Sequence, residues 1–410
     1  MASDTKEKIL DTLLSFYDAP RFTTVSLSKL AAAVGISKAA LFKHFANKDD
    51  LELCLKNRIL NDFSAVVNSA LDSWDDENPG RAIAIILNDV INHRRDFFYL
   101  LSTCRTFTED YFVRELRSRG TVVFDTIYDK DFNIINMHSY FLSVYVSTCL
   151  LVMLFIVFKV DSTVQNGQTG IDIFMEEVSA FLNDGLSDKS VINDRLALAA
   201  IDQHCRETVD ALPPSGKLFK AFANVVKKNG YQGVTVEKIA EEMGLAKSSL
   251  YSYYKSKEEM LISIVLEETE KLDALVLSNL ETVSSVGEFV YTLFSTHTAY
   301  FVARPEMAEV IKGLISTTRD KPYCDAEKQY DEQKDTVFFR RIEARFRSLG
   351  GSQQVLNSHS VMLMVILYAL PVMTFLHCRE NNFSNEIIQA AMKEIYFMVE
   401  TGMKDFRGEL

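Results

Sequence analysis

The sequence predicts an all-α protein from three observations: few turn-forming residues, an apolar but well-charged composition, and a helical pattern that occurs twice. Only 16 Gly and 7 Pro occur in 410 residues. A many-stranded β-sandwich or β-barrel needs more of these turn-forming residues, because its turns recur about every 8–12 residues. Hydrophobic residues make up 48% and charged residues 24% of the chain, a composition typical of globular domains. The length favours more than one domain.

The six cysteines and the N-terminus predict a cytoplasmic protein. The cysteines lie far apart, without a C-x-x-C pair, so we expect free thiols and neither a disulfide scaffold nor a zinc ribbon. The N-terminus is charged and lacks the apolar core of a signal peptide. We expect no cofactor and no metal site, because His204-Cys205 and His377-Cys378 are isolated pairs.

An internal repeat divides the chain. An offset of 209 residues lays Phe22–Leu51 over Tyr231–Met260 without a gap. Identical residues lie at Val25/Val234, Lys29/Lys238, Ala31/Ala240, Gly35/Gly244, Lys38/Lys247, Leu41/Leu250 and Lys48/Lys257. Weaker similarity relates runs that open at His138 and His359, at an offset of 221, and Phe174–Leu186 with Ala391–Met403, at 217.

The repeat predicts two tandem units with a seam at Pro213-Pro214-Ser215-Gly216, where a helix interior cannot continue. We expect a helix-turn-helix head at 1–50 and a helical ligand and dimerisation domain at 51–190. A helical linker follows at 191–212. The second head is expected at 213–259 and the second helical domain at 260–410.

The local pattern of each head predicts two short helices joined by a tight turn. Ser26 can cap a helix whose apolar positions follow a spacing of three or four, and Gly35 suits a left-handed turn at its end. A second short helix follows, and capping signals at Asn47 and Ser256 start longer helices near 48 and 257. This order is a helix-turn-helix, although a single copy is also compatible with an ordinary helical hairpin.

The outward residues of the second short helix are the candidates for DNA contact, because small or hydrogen-bonding side chains at its N-terminal end can enter a major groove. They are Lys38, Ala39, Ala40, Lys43 and His44 in the first copy, and Lys247, Ser248, Ser249, Ser252 and Tyr253 in the second.

Both segments resemble the N-terminal domain of TetR-family regulators, whose pattern is T-V-x-x-I-A-x-x-x-G-V-S-x-x-x-L-Y-x-Y-F-x-x-K-x-x-L. The first copy follows it from Ser26 to Leu51 and the second from Thr235 to Met260. The resemblance implies two tandem TetR-like units, each a three-helix head plus a helical bundle. It adds Ser26, Phe42, Lys48, Thr235, Tyr251 and Lys257 to the candidate DNA contacts.

Each copy departs from the pattern at its recognition helix. Phe42 lacks the hydroxyl of Tyr251, and His44 replaces a tyrosine, so we expect fewer or pH-sensitive phosphate contacts in the first head. Ala246 replaces the usual serine cap of the second head, at an expected cost of about 1 kcal/mol.

Positive charge is concentrated in the two regions where DNA is expected to bind. The net charge of the chain is −12, which excludes a protein whose whole surface is basic. Residues 1–60 hold nine Lys or Arg and seven Asp or Glu, and residues 210–265 hold eight and six, so these parts are net positive within an acidic chain. Solvated helix surface is the alternative explanation for these lysines.

Two uncharged apolar runs, 132–158 and 358–378, predict helices buried on all faces. A membrane segment is the alternative for the first run, but its serines and the absence of a basic flank argue against it. The family resemblance implies that these helices pair in a four-helix bundle. Because one chain holds two heads, we expect an intrachain pseudo-dimer that reads a non-palindromic operator of double-stranded DNA.

The resemblance also implies a pocket for an apolar or aromatic small-molecule effector. The candidate ligand-binding residues are Phe98, His138, Tyr140, Phe141, Phe294, His297 and His359, although plain core packing also explains them. No P-loop, G-x-S-x-G or H-E-x-x-H pattern is present, so we expect no enzyme activity. The chain is therefore predicted to be a ligand-responsive repressor, with a ligand- or partner-binding scaffold with decayed heads as the alternative.

Overall fold

The computed structural model describes residues 2–17, 25–73, 79–103, 109–131, 133–157, 164–165, 168–169, 180–186, 191–230, 233–252, 254, 257–308, 310–311, 325–351 and 360–403. Within these ranges the regular structure is helical, apart from an isolated bridge between Tyr128 and Ile134 and one two-stranded hairpin. The hairpin pairs β1 (Val164–Gln165) with β2 (Gln168–Thr169). The all-α prediction is confirmed.

The helices of the first sequence copy follow the expected head and then a longer bundle. In chain order they are α1 (Ala2–Leu14), α2 (Leu27–Val34), α3 (Lys38–Leu41), α4 (Lys48–Asp72), α5 (Pro79–Asn92), α6 (Arg94–Thr103), α7 (Glu109–Arg117) and α8 (Met137–Val157). A short 3-10 helix, Val122–Thr126, separates the last two.

One helix, α9 (Arg195–Asp210), occupies the stretch between the two copies, with Asp194 as its N-cap. The helices of the second copy are α10 (Lys217–Asn229), α11 (Val236–Met243), α12 (Lys247–Tyr251), α13 (Lys257–Glu281), α14 (Val286–Ala303), α15 (Asp325–Ser348), α16 (Ser360–Glu380) and α17 (Asn385–Thr401).

The chain packs as two compact units whose boundaries differ from those of the sequence copies. One unit comprises Met1–Met137, Leu154–Met175 and Arg319–Pro322, and the other comprises His138–Met153, Glu176–Thr318 and Tyr323–Leu410. Most of α8 therefore packs with the second copy. The domain boundaries drawn from the repeat remain predictions about the sequence copies.

The first unit is built on a core that joins its head to the bundle. Leu30, Leu41 and Phe45 of the head lie in one buried cluster with Leu55 and Ile59 of α4. Burying apolar side chains of this size stabilises a fold by about 1.5–3 kcal/mol each. The head is therefore anchored to α4 through its apolar faces, which leaves its polar face in solvent.

The second unit is a helical bundle centred on α14. Every residue of α14 from Val286 to Phe301 is buried except Glu288, which is half-buried, so solvent reaches little of this helix. Pro371 lies inside α16 and is itself buried. Among the described helices, none is long and apolar enough to cross a membrane. Burial within the unit accounts for the apolar run in the described part of α16.

The second unit also contains a reciprocal crossing of two chain segments. The Leu186 amide donates to the Val399 carbonyl at 2.9 Å, and the Met403 amide donates to the Leu182 carbonyl at 2.8 Å. Gly185 and Gly402 lie at the crossing with positive φ values of 63° and 70°. A Cβ on either glycine would overlap the backbone of the opposite segment, so only glycine allows this approach.

Candidate nucleic-acid interface

The two heads share the same turn geometry. Ser26 and Thr235 cap the first helices, accepting from the Lys29 amide at 3.2 Å and the Lys238 amide at 3.3 Å. Gly35 and Gly244 end these helices with φ values of 82° and 69°. This left-handed conformation costs an L-residue about 1–2 kcal/mol, which explains glycine at both turns.

The recognition helix of the first head, α3, presents a basic and aromatic face. The Ser37 hydroxyl accepts from the Ala40 amide at 3.0 Å and caps the helix. Leu41 is buried beneath it, whereas Lys38, Ala39 and Lys43 are exposed and Ala40 and His44 are half-buried. Phe42 is 41% exposed, which is unusual for a side chain of its size.

The recognition helix of the second head, α12, buries the equivalent leucine but has a weaker start. Ala246 occupies its N-cap position without a side-chain hydrogen bond, as its sequence predicts. Leu250 is buried, Lys247, Ser248 and Ser252 are exposed, and Ser249 is half-buried. Tyr251 is 44% exposed at the position that corresponds to Phe42. Tyr253 and the side chain of Lys257 lie outside the described residues.

The lysines of the two heads differ in their ion pairs. Lys247 forms an ion pair with Glu237 of α11 and lies 5.5 Å from the centre of the Tyr251 ring. The hydrogen bond between Lys247 and Glu237 raises the pKa of Lys247 and lowers the pKa of Glu237, so both side chains stay charged at neutral pH. Among the described residues, Lys38 and Lys43 have no ion-pair partner.

Lys48 starts α4 and forms an ion pair with Glu52 at 3.2 Å. Since both side chains are more than a third exposed, this ion pair is weak and another anion can replace the carboxylate. The four described lysine side chains predicted to contact DNA, Lys38, Lys43, Lys48 and Lys247, are therefore all accessible to solvent.

A buried polar network fixes the start of the second head to the bundle. Glu268 of α13 accepts from Ser215 at 3.2 Å, from Arg304 at 3.3 Å and from Lys271 at 2.7 Å. Burial alone raises the pKa of Glu268, but these partners together lower it below its ordinary value. Arg304 also donates to the Pro213 carbonyl, which ties the end of α14 to the predicted seam.

The predicted ligand-binding residues lie in different environments. Tyr140 and Phe141 are buried in the packing of α8, and Phe294 and His297 are buried in α14. Burial lowers the pKa of His297 to about 4, so this ring is neutral at physiological pH. His138 is half-buried, 3.8 Å from Glu394. His359 and the side chain of Phe98 lie outside the described residues.

A cavity of about 290 Å³ lies in the second unit, lined by none of these seven residues. It lies among α9, α14 and α17. Its polar wall contains Asp202, which accepts from Ser295 at 2.7 Å and Tyr291 at 3.0 Å. Val209, Val302 and Met392 form apolar parts of the wall. Sequence reasoning missed this cavity because three distant segments form it.

Side chains suited to a metal ion do not cluster in the part of the chain that the structure describes, where no group of three His, Cys, Asp or Glu residues converges. The free thiols of Cys149 and Cys378 are buried there, and burial raises the pKa of Cys149 beyond any physiological pH and that of Cys378 to about 12. Both thiols are therefore protonated and unreactive.

The two heads have the geometry of helix-turn-helix DNA-binding proteins: a capped supporting helix, a glycine turn and a short, exposed recognition helix. The family model for bacterial regulatory proteins of the tetR family matches the chain at residues 22–53 and 218–264. Each match covers one helix-turn-helix and the start of the following long helix. Both predicted heads therefore match the model of the TetR-type head.

Curated relatives are similar over one part of the chain. The "Fatty acid metabolism regulator protein" of Bacillus subtilis (strain 168) is 28% identical over 85 residues, which are 21% of this chain and 44% of the relative. An uncharacterized HTH-type transcriptional regulator, YezE, of the same strain is 32% identical over 105 residues, 26% of this chain and 54% of the relative. The chain thus spans about half the length of the curated relatives it matches.

Among solved structures, a TetR family transcription regulator from Marinobacter aquaeolei VT8 aligns with 48% of this chain and 96% of its own. The identity is 17% and the TM-score 0.31.

Proposed function

We propose that this protein is a DNA-binding transcriptional regulator that acts as a ligand-responsive repressor. The observation that carries the proposal is the match of the chain to the TetR-type head at two separate regions, each with an exposed short helix after its glycine turn. The lysines on these helices suit phosphate contacts, and the small and hydroxyl side chains beside them suit contacts with base edges. A cytoplasmic location and the absence of catalysis remain predictions.

We infer further that the two copies pair within one chain. The crossing of Gly185 and Gly402 supports this inference, because the residues that meet there are equivalent in the repeat. At the offset of 217, Leu186 corresponds to Met403 and Leu182 to Val399, so the two hydrogen bonds are related by a pseudo-two-fold exchange. Reciprocal contacts of this kind are typical of the isologous interface of a homodimer.

Pairing within the chain brings two unlike recognition helices to one DNA molecule. Lys38-Ala-Ala-Leu-Phe-Lys-His44 and Lys247-Ser-Ser-Leu-Tyr-Ser-Tyr253 present different side chains, so their half-sites should differ in sequence. The proposed operator is non-palindromic, with half-sites about one helical turn apart.

Selection of bound duplexes from a random DNA library tests the function directly. The wild type is expected to enrich one motif with unlike halves near 0.1 M salt. Lys43→Ala is expected to weaken binding to all duplexes, and Tyr251→Phe to alter preference in one half only. Failure of the wild type to enrich any sequence, in ligand-free protein refolded from denaturant, contradicts the proposal.

The cavity among α9, α14 and α17 is the proposed effector site. Asp202 and the amide side chain of Gln389 offer hydrogen-bond partners in a cavity that also has apolar lining, which suits an amphipathic ligand with a donor group. The cavity also includes Ala303, the residue before Arg304, and we propose that an occupant acts on the second head through this neighbour. Ser295→Leu is expected to fill the cavity and abolish effector-induced release of DNA without loss of DNA affinity.

A ligand- or partner-binding scaffold is the rival function. The missing hydroxyl at Phe42, the uncapped Ala246 and the ion pair that occupies Lys247 favour it. The two functions differ in the effect of salt, because DNA binding that releases counterions weakens steeply as salt rises, whereas binding of a neutral partner does not.

A further inference from the structure

Among the described residues, the ion pair of the second head has no counterpart in the first. Glu237 lies in the first turn of α11 and pairs with Lys247, the first residue of the recognition helix. At the repeat offset of 209, Lys247 corresponds to Lys38 and Glu237 to Ser28. Ser28 and Lys38 are both exposed, and Lys38 has no carboxylate partner among the described residues.

The acidic character of α11 extends beyond this pair. Glu237, Glu241 and Glu242 lie on α11, whereas the matching residues of α2 are Ser28, Ala32 and Ala33. Of the two aligned ranges, residues 27–51 contain four Lys and two Asp, whereas residues 236–260 contain four Lys and five Glu. The helix-turn-helix segment of the first head is therefore more positive than that of the second.

Local geometry keeps Glu237 beside Lys247. The Thr235 cap fixes the start of α11, and a carboxylate is favoured in the first turn by the free amide groups there. Glu242, by contrast, pairs with Lys228 at 2.6 Å, on α10. Among the carboxylates of α11, the described ion pairs thus connect only Glu237 to the recognition helix.

We propose that Glu237 is a specificity-determining residue that makes the two heads unequal. It competes with DNA phosphate for Lys247, so the first head anchors the chain and the second engages only where a half-site displaces the carboxylate. This inference rests on the proposed DNA-binding function. It assigns Glu237 a repelling role, a common means of discriminating between binding sites.

Binding of the full-length chain to fluorescein-labelled mixed-sequence duplex DNA of about 30 base pairs tests the proposal across a salt series. Glu237→Ser, which copies the first head, is expected to bind about five- to tenfold tighter near 0.1 M salt, since one added phosphate contact steepens the slope of log K against log salt by about 0.9. Ser28→Glu is expected to have the opposite effect in the first head.

Glu242→Gln is the matched control, because it removes one carboxylate and one lysine pair from the same helix without touching Lys247. It is expected to change the salt slope little. If Glu242→Gln and Glu237→Ser increased DNA affinity equally, the loss of any one negative charge would explain both effects. That result would overturn the proposal. Glu237→Gln, which preserves side-chain length, guards against a folding defect in Glu237→Ser.

An unchanged or shallower salt slope in both Glu237 variants, with lower thermal stability, would also overturn the proposal. The pair would then serve only to steady a recognition helix that lacks a cap at Ala246. Failure of every form, wild type included, to bind duplex with a salt-dependent affinity would instead overturn the proposed function itself.

Discussion

Glycine at the two head turns is required by backbone conformation alone. Gly35 and Gly244 have positive φ values, and apart from the adjacent residues no described atom lies within 4 Å of an added Cβ at either position. Gly35→Ala and Gly244→Ala are therefore expected to lower the free energy of unfolding by about 1–2 kcal/mol through strain at φ. Chemical denaturation measures this loss, and no loss would show that the turn relaxes to a right-handed form.

Glu394 is expected to make the stability of the protein depend on pH. The residue is 5% exposed, neither carboxyl oxygen has a hydrogen-bond partner among the described residues, and burial raises the pKa from 4.5 to about 7. Between these values the folded state holds a proton that the unfolded state releases. Glu394 therefore lowers stability as pH rises, by up to about 1.4 kcal/mol per pH unit.

Glu394→Gln tests this dependence, since the amide resembles the protonated acid. The variant is expected to melt at a higher temperature than the wild type at pH 8 and at about the same temperature at pH 4.5. His138 lies 3.8 Å away, and burial lowers the pKa of its ring, which favours the neutral pair. A variant less stable than the wild type at pH 8 would show that an ion pair with His138 prevails.

The junction between α14 and the second head is the element most sensitive to loss of a charge. Arg304→Met leaves Glu268 buried, with Lys271 as its remaining cation, and is expected to cost about 3 kcal/mol of stability. Arg347→Met removes the more exposed pair with Glu343 and is expected to cost less than about 1 kcal/mol. Denaturant unfolding of both variants measures the difference, and equal losses contradict a special role for the buried network.

The crossing of 180–186 with the end of α17 is the element that supports intrachain pairing. Gly402→Ala combines strain at φ with overlap of the opposite backbone, so its cost is expected to exceed that of Gly244→Ala. The comparison measures packing at the crossing because both positions have φ near 70°. Similar melting temperatures for the two variants would mean that the crossing opens at little cost.

Local features of the heads were predictable from sequence because they depend on neighbours in the chain. The cap at Ser26, the left-handed turns at Gly35 and Gly244, and the absence of a side-chain cap at Ala246 are examples. The start of α4 at Lys48 follows from the Asn47 cap, whose side chain accepts from the Asp50 amide at 2.8 Å.

Features that depend on tertiary assembly were not predictable. The repeat aligns Gly185 with Gly402, but nothing in the pattern indicates that the two residues meet. In the sequence, Asp202 is only one polar position of an amphipathic helix. Its role as a hydrogen-bond acceptor follows from the packing of α14, which places Tyr291 and Ser295 beside it. The ion pair of Glu237 and Lys247 could have been suspected from the sequence alone. The repeat places Ser28 of the first copy at the position of Glu237, which marks Glu237 as a difference between otherwise similar heads.

Covalent linkage of the two copies removes a constraint that a homodimer obeys. Two identical subunits present identical recognition helices, so their operators are palindromic. Two linked copies can diverge separately, as the differences at Phe42/Tyr251 and Ser28/Glu237 illustrate. Replacing Lys38–His44 by the sequence of Lys247–Tyr253 is expected to convert the selected motif into a symmetric one.

Recognition of two unlike half-sites by one chain is tested most directly by native mass measurement of the complex on the selected duplex. One 46.5 kDa chain per duplex is expected, with weaker binding to duplexes in which either half-site is duplicated. Two chains bound to a symmetric motif, with one head of each chain free of DNA, would contradict it.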